Sequence, residues 1–175
     1  MAVDTLQGEI SGLRLAGPAD ESALFGIYTH ASVERFLTFD DVNRPRFKEI
    51  FGELLKGGGF FVYEVNGKVA GFCKSTRLPG RAAHVAHLGP LAIAPELHGR
   101  GYGVSMLRAV FARLEPEGVL RFELMVERDN PRGIAFYRKV GFAQEGVQRS
   151  AYRRASESHY VDELLMVRFA GVLRG

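Results

Sequence analysis

The sequence predicts a single mixed domain of the α/β (α+β) class, and three observations carry that prediction. Segments with apolar residues at i, i+3 and i+4 alternate with short runs rich in β-branched and aromatic residues. Two of those runs flank Asn66-Gly67, the strongest short-range hairpin signal. A chain of 175 residues, 46% hydrophobic and 25% charged, is long enough to bury one sizeable core and has an ordinary globular composition. There is no internal repeat and no linker, so residues 1–175 read as one domain with a core from about 13 to 169.

Leu13-Arg14-Leu15 reads as the first strand. Pro18-Ala19-Asp20 starts a helix with Leu24, Ile27 and Tyr28 on its apolar face. A polar stretch with Asp40, Asp41 and Pro45 leads to a second helix, where Phe47, Ile50, Phe51, Leu54 and Leu55 share a stripe and Gly57-Gly58-Gly59 ends it. Phe60 to Val65 and Val69 to Ser75 form the hairpin. A fourth strand runs from Ala82 to Ile93, bent at Gly89-Pro90 because proline has no N–H for the ladder. After a glycine-rich turn, a third helix carries Val104, Leu107, Val110, Phe111 and Leu114. Leu120 to Val126 is the fifth strand. Asn130-Pro131 opens a fourth helix as N-cap and first helical residue, and Gly141 closes it. Strands near Phe142 to Gln148 and His159 to Phe169 complete the order.

Composition narrows the function. The net charge of +3 is mild, and basic and acidic residues alternate along most of the chain, which argues against a nucleic-acid partner. No apolar run approaches the ~18–20 residues that span a bilayer, and the first residues have no apolar core of a secretory signal. One cysteine, Cys73, allows neither an internal disulfide nor a multi-cysteine zinc site, so no metal is expected and the cytoplasm is the expected setting.

The chemistry concentrates in His98-Gly99-Arg100-Gly101-Tyr102-Gly103, which follows a strand and opens a helix. A helix start presents unsatisfied N–H groups and a positive dipole end, and glycines let an anion approach the backbone. Taken alone, the glycines fit a tight turn as well as an anion site. The spacing is neither that of a dinucleotide loop nor that of a nucleoside-triphosphate loop ending in Gly-Lys-Ser/Thr.

This segment resembles the phosphate-binding signature of the GNAT superfamily of acyl-CoA-dependent N-acyltransferases, Gln/Arg-x-x-Gly-x-Gly/Ala. Gly101 and Gly103 match, and His98 stands where the family has Gln or Arg. The run from Asn130-Pro131-Arg132 through Tyr137 to Gly141-Phe142 resembles the family's second cofactor motif, and Tyr160 to Met166 is similar to the last strand of many bacterial members. The resemblance implies a central, mixed, mostly antiparallel seven-stranded sheet flanked by about four helices and splayed between strands 4 and 5. It implies acetyl-CoA as co-substrate, held by the backbone of Leu91, Ala92 and Ile93, by His98, Gly99, Arg100, Gly101, Tyr102, Gly103 and Val104, and by Asn130 and Arg132. Of the helix arginines, Arg108 is a further candidate for the phosphates. A homodimer is expected by analogy with the fold.

Moving an acetyl group from a thioester to an amine needs a neutral amine, a polarised carbonyl and a proton for the leaving thiolate. Tyr137 matches the family's helical tyrosine and is the expected general acid, because a phenol with pKa ~10 is protonated at neutral pH. Some family members carry a glutamate eleven residues before the signature, and that count from His98 reaches His87, the expected base. Glu123 and His84 stand behind it. The acceptor is expected to be a small-molecule amine or a peptide N-terminus. Phe36, Phe39, Asp40 and Asp41 suit an alkylammonium, whereas Arg149, Arg153 and Arg154 suit a carboxylate. A module that binds acyl-CoA without turnover is the alternative.

Overall fold

A computed structural model describes residues 3–6 and 9–171, with side chains from Glu9 onward. The chain divides into two compact units interleaved in sequence: Met1–Thr76 with Pro90–Val110, and Arg77–Gly89 with Phe111–Gly175.

In the first unit, β1 (Val3–Leu6) and β2 (Glu9–Leu15) pair antiparallel, adding one strand ahead of the seven read from sequence. β2 pairs with β3 (Phe60–Val65), and β3 with β4 (Lys68–Arg77), again antiparallel. The β3–β4 turn has Asn66 at φ 50° and Gly67 at φ 74°, the pair of positive angles that a two-residue type I′ hairpin requires. Apolar stripes of α1 (Glu21–Tyr28) and α3 (Arg44–Leu55) bury Leu24, Ile27, Tyr28, Phe47, Ile50 and Phe51. The polar stretch between them holds a short helix, α2 (Ala31–Glu34), whose N-cap His30 accepts from the Ser32 N–H. This turn escaped the sequence reading because four residues are too few to show a period.

An aromatic circuit ties these elements together. Tyr28 lies 5.3 Å from Phe47 and 6.2 Å from Phe72 between ring centroids. Phe51 lies 5.9 Å from Phe47 and 6.1 Å from Phe60, and Phe60 is 6.0 Å from Phe72. Offset and edge-on pairs at these separations add to the burial of each ring. The free carbonyls at the end of α3 are covered by Lys74, whose ammonium donates to Leu54 O at 2.8 Å, Lys56 O at 3.0 Å and Gly58 O.

The fourth expected strand is β5 (Val85–Ile93). It starts later than expected, because Ala82 belongs to a 3-10 turn whose following residue, Ala83, gives its carbonyl to Arg77 Nε at 3.0 Å. One of the three boundaries between the units falls at Gly89/Pro90, where the bend is expected and Gly89 has φ 148°. On the Pro90–Ile93 side, Ala94 N–H donates to Ala70 O at 2.8 Å. Gly71 allows this close approach of β4: a Cβ there would lie 2.5 Å from Ile93 Cδ1 and 2.7 Å from Ala92 O.

In the second unit, β5 pairs parallel with β6 (Arg121–Glu127) through Val85, Ala86 and His87. β6 pairs antiparallel with β8 (Val161–Phe169) along its whole length, and β8 with β7 (Ala143–Tyr152). Between β5 and β6 runs α4 (Tyr102–Leu114), and between β6 and β7 runs α5 (Pro131–Lys139). Phe111 of α4 sits 4.8 Å from Phe122 and 6.0 Å from Phe142 between centroids. Arg168 lies 3.9 Å over the Phe111 ring while bonding Glu115 at 2.8 Å.

The strand order is β1-β2-β3-β4-β5-β6-β8-β7, mostly antiparallel with one parallel pair. β2 to β8 are the seven strands that the family resemblance implies. The parallel β5–β6 ladder is short, running through Val85, Ala86 and His87, whereas β6 pairs with β8 from Arg121 to Glu127. No helix among the described residues is long and apolar enough to cross a membrane.

Replacing Gly71 by alanine forces a methyl against a backbone carbonyl and should cost about 1–3 kcal/mol. Urea titration should show a lower midpoint with an unchanged slope. Lys74→Met strips the α3 carbonyls of a charged donor and should cost about 1–2 kcal/mol by the same measurement.

Candidate active site

The first unit contains the glycine-rich turn. After β5, a 3-10 turn at Pro95–Leu97 brings the chain to His98, and Gly99 (φ 77°) and Gly101 (φ 88°) lead into α4. Left-handed backbone costs an L-residue with a side chain about 1–2 kcal/mol, which explains glycine at both positions. Apart from its chain neighbours, a Cβ built on either would meet no atom of the described residues within 4 Å, so among these residues the space above the turn is open. Tyr102, Gly103 and Val104 lie in the first turn of α4, where N–H groups have no partner four residues back. Open backbone, first-turn amides and a positive helix end fit the phosphates of an acyl-CoA.

The side chains of the turn divide the work. Arg100 is exposed and makes no hydrogen bond or ion pair with the described residues, leaving its guanidinium available to an anion. His98 turns inward, with Nε2 2.8 Å from Ile93 O. A carbonyl only accepts, so Nε2 carries the proton in the neutral ring. Tyr102 is buried, and its hydroxyl donates to the Glu9 carboxylate. Its backbone therefore faces the turn while its side chain serves the fold. Glu9 was not singled out from sequence, since nothing local links residues 93 positions apart. On β5, Ala94 spends its N–H on β4, so strand alternation directs the N–H groups of Leu91 and Ile93 to the opposite edge. Ala92 and Ile93 side chains are buried and Leu91 is half-buried.

The second unit contains the candidate acid and base. His87 is half-buried on β5 and stands in register with Glu123 of β6. Burial lowers the imidazole pKa, and the Glu123 charge opposes that shift without cancelling it. His87 is therefore neutral at neutral pH, the form a base requires. Glu123 also accepts from Arg121 Nε at 3.3 Å. His84 is exposed, and its carbonyl accepts from Leu120 N–H at 2.8 Å. Tyr137 is half-buried on α5, with ring centroids 5.1 Å from Phe136 and 5.9 Å from Phe142. Its carbonyl accepts from Phe142 N–H at 3.0 Å, so the helix exit holds the tyrosine's backbone.

Asn130 caps α5, accepting from Gly133 N–H at 2.8 Å. Gly133 is required for this fold-over, since a Cβ there would lie 2.7 Å from Asn130 Nδ2. Arg132 and Arg108 are exposed.

The loop preceding α5 holds a polar cluster that the sequence did not reveal. Arg154 is 3% exposed and binds Asp129 at 2.7 and 3.0 Å, Glu157 at 3.1 and 3.2 Å and the Tyr152 hydroxyl at 3.1 Å. This corrects the expectation that Arg154 meets a substrate carboxylate: its donors are committed inside the protein. Arg153 and Arg149 remain exposed. Glu127 is buried beside Tyr152 and stands opposite Glu163 in the β6–β8 register. Desolvation raises both carboxyl groups above the usual range. In the acceptor segment, Glu34 Oε1 accepts from Val42 N–H at 2.8 Å, Asp41 holds φ 52°, and Phe39 is 5.1 Å from the Arg46 guanidinium.

For an acid with a raised folded pKa, the ionised form costs stability. That cost is absent below the unfolded pKa of about 4.3 and complete above the folded value. Urea titrations from pH 4 to 8 should therefore favour Glu127→Gln over the parent increasingly as pH rises, whereas a pH-independent difference would contradict the burial argument.

The profile described as acetyltransferase (GNAT) family matches residues 22–142. An uncharacterized N-acetyltransferase of Methanocaldococcus jannaschii is 32% identical over 98 residues, 54% of this chain and 43% of that protein. The N-alpha-acetyltransferase RimI of Mycobacterium tuberculosis is 32% identical over 96 residues, 54% of this chain and 58% of that protein. The chain thus matches about half the length of these curated relatives. The crystal structure of a ribosomal-protein-alanine N-acetyltransferase from Brucella melitensis superposes with a TM-score of 0.72 at 24% identity, covering 90% of this chain and 99% of that one. With the family profile spanning most of the sequence, from α1 through both candidate motifs to Phe142, the chain belongs to the GNAT acetyltransferase family.

Proposed function

We propose that this chain is an N-acetyltransferase that moves an acetyl group from acetyl-CoA to a primary amine by direct attack in a ternary complex. The observation that carries the reading is the Gly99–Gly101 turn: two left-handed glycines under open space feed the first turn of a long helix, inside a matched GNAT profile. Acetyl-CoA supplies the acyl group already activated as a thioester. The first-turn amides and Arg100 take its phosphates, and the N–H groups of Leu91 and Ile93 take its pantetheine arm. Asn130 and Arg132 are further cofactor contacts on this reading.

His87 takes the proton that the amine must lose, and its lowered pKa keeps it ready at neutral pH. The C–N bond forms, the C–S bond breaks, and the Tyr137 hydroxyl gives its proton to the departing thiolate. The acceptor is a small-molecule amine or a peptide N-terminus, and the mycobacterial relative's name, N-alpha-acetyltransferase, supports the latter. The cytoplasm and a homodimer belong to the same proposal. The second reading, a module that binds acyl-CoA without turnover, draws support from His98, which stands in the family's Gln/Arg position and is bonded to Ile93 O.

Acetyl-CoA-dependent thiol release with amines, diamines, amino acids and short peptides separates the two. Release with an acceptor supports the enzyme. CoA binding without release on any of them supports the module, and no CoA binding removes both. In an active preparation, Tyr137→Phe should lower kcat by about 10–100-fold with little change in CoA affinity. The kcat/KM profile should have an acidic limb below the ordinary histidine pKa. Persistence of that limb in His87→Ala would take His87 out of the role.

A further inference from the structure

The first turn of α4 rests on a residue outside both motifs. Tyr102, 3% exposed, lies between Gly101 and Gly103, and its hydroxyl donates to the Glu9 carboxylate of β2. The same carboxylate accepts from Asn66 Nδ2 at 3.3 Å. Asn66 is itself locked to β2: its N–H donates to Ile10 O at 2.8 Å, and its Oδ1 accepts from Ile10 N–H at 3.1 Å. One carboxylate thus joins the edge of β2, the β3–β4 turn and the start of α4.

That junction falls where the local chain is least able to hold itself. Gly101 and Gly103 flank Tyr102, and glycine loses more conformational freedom on ordering than any other residue. Helix starts are also the weakest part of a helix, because their first amides lack intrahelical partners. Tyr102 is the side chain with the reach and burial to fix this turn. Both Glu9 and Arg100 act on its hydroxyl, Glu9 through the hydrogen bond and Arg100 through charge. On the reading of this turn as the cofactor's phosphate cradle, we propose that Glu9 is a positioning residue, which through Tyr102 holds the first-turn amides of α4 in the geometry that receives the CoA phosphates.

The role does not require Glu9 to touch the cofactor. A glutamine at position 9 can still accept from the Tyr102 hydroxyl, whereas an alanine cannot, and Tyr102→Phe removes the same bond from the other side. Loss through either partner should therefore look alike, and Glu9→Gln should rescue.

The test uses the full chain with three variants, Glu9→Ala, Tyr102→Phe and Glu9→Gln, and two readouts. In hydrogen exchange, the amides of residues 105–108, the first in α4 with an acceptor one turn back (Ser105 N–H donates to Gly101 O at 3.1 Å), should exchange about tenfold faster in Glu9→Ala and Tyr102→Phe. The amides of β6 and β8 should stay as in the parent. In calorimetric titration with CoA, the same two variants should bind about tenfold more weakly, with Glu9→Gln within about twofold of the parent. Unchanged exchange at 105–108, or faster exchange throughout the chain, would overturn the positioning role. Local exchange acceleration with unchanged CoA affinity would also overturn it, because the anchor would then not serve the cradle. If the parent binds no CoA while the local exchange effect appears, the anchor on α4 stands and the cofactor reading fails.

Discussion

The β5 ladder with β6 ends at His87, just ahead of Gly89-Pro90, and β5 is organised around that break. Upstream, Val85 to His87 form a parallel ladder with β6; downstream, Ala94 bonds back to β4 and the chain enters the glycine turn. A regular strand would continue the ladder and use every N–H on a neighbour. Interrupting it at Gly89-Pro90 leaves the N–H groups of Leu91 and Ile93 directed away from β4, the polar backbone that an extended ligand can use. The close approach of β4 at Gly71 then holds the downstream half in place, since backbone carbonyl and Ile93 side chain fill the volume a Cβ would need.

Charge is handled differently around the two groups of candidate residues. In the turn, the exposed Arg100 is uncommitted among the described residues, and the amides are oriented by geometry. In the second unit, the buried and half-buried titratable groups are either ion-paired or held toward their neutral forms. Arg154 is enclosed by carboxylates and a phenol, an arrangement in which the desolvated cation needs nearly all its donors satisfied. Burial drives His87 toward its neutral form and Glu127 and Glu163 toward theirs. The burial of Glu127 and Glu163 imposes a stability cost that grows with pH.

The features legible from sequence are those whose cause lies within a few residues. Asn66-Gly67 demands its turn because both residues take positive φ, and Asn130-Pro131 starts a helix because the amide side chain reaches the N–H three residues on. Gly141, at φ 95°, ends the same helix. The apolar stripes of α1, α3 and α4 follow from periodicity alone. Less legible were α2, too short to have a period, and β1, whose pairing lies with β2. The polar side chains were the hardest to read. Arg153 and Arg154 are neighbours in sequence, yet one is exposed and the other sealed by Asp129 and Glu157.

The sequence by itself determined the order of the longer elements, the glycine turn at a helix start and the family motifs, because each is a local pattern of backbone preference or spacing. Tertiary structure alone decided which of the turn's side chains remain available to a ligand. His98 is bonded to Ile93 O and Tyr102 to Glu9, while Arg100 is left exposed. The physical reason is that a polar side chain's fate depends on which donors and acceptors the fold brings within hydrogen-bond reach. For Tyr102 that partner comes from 93 residues away.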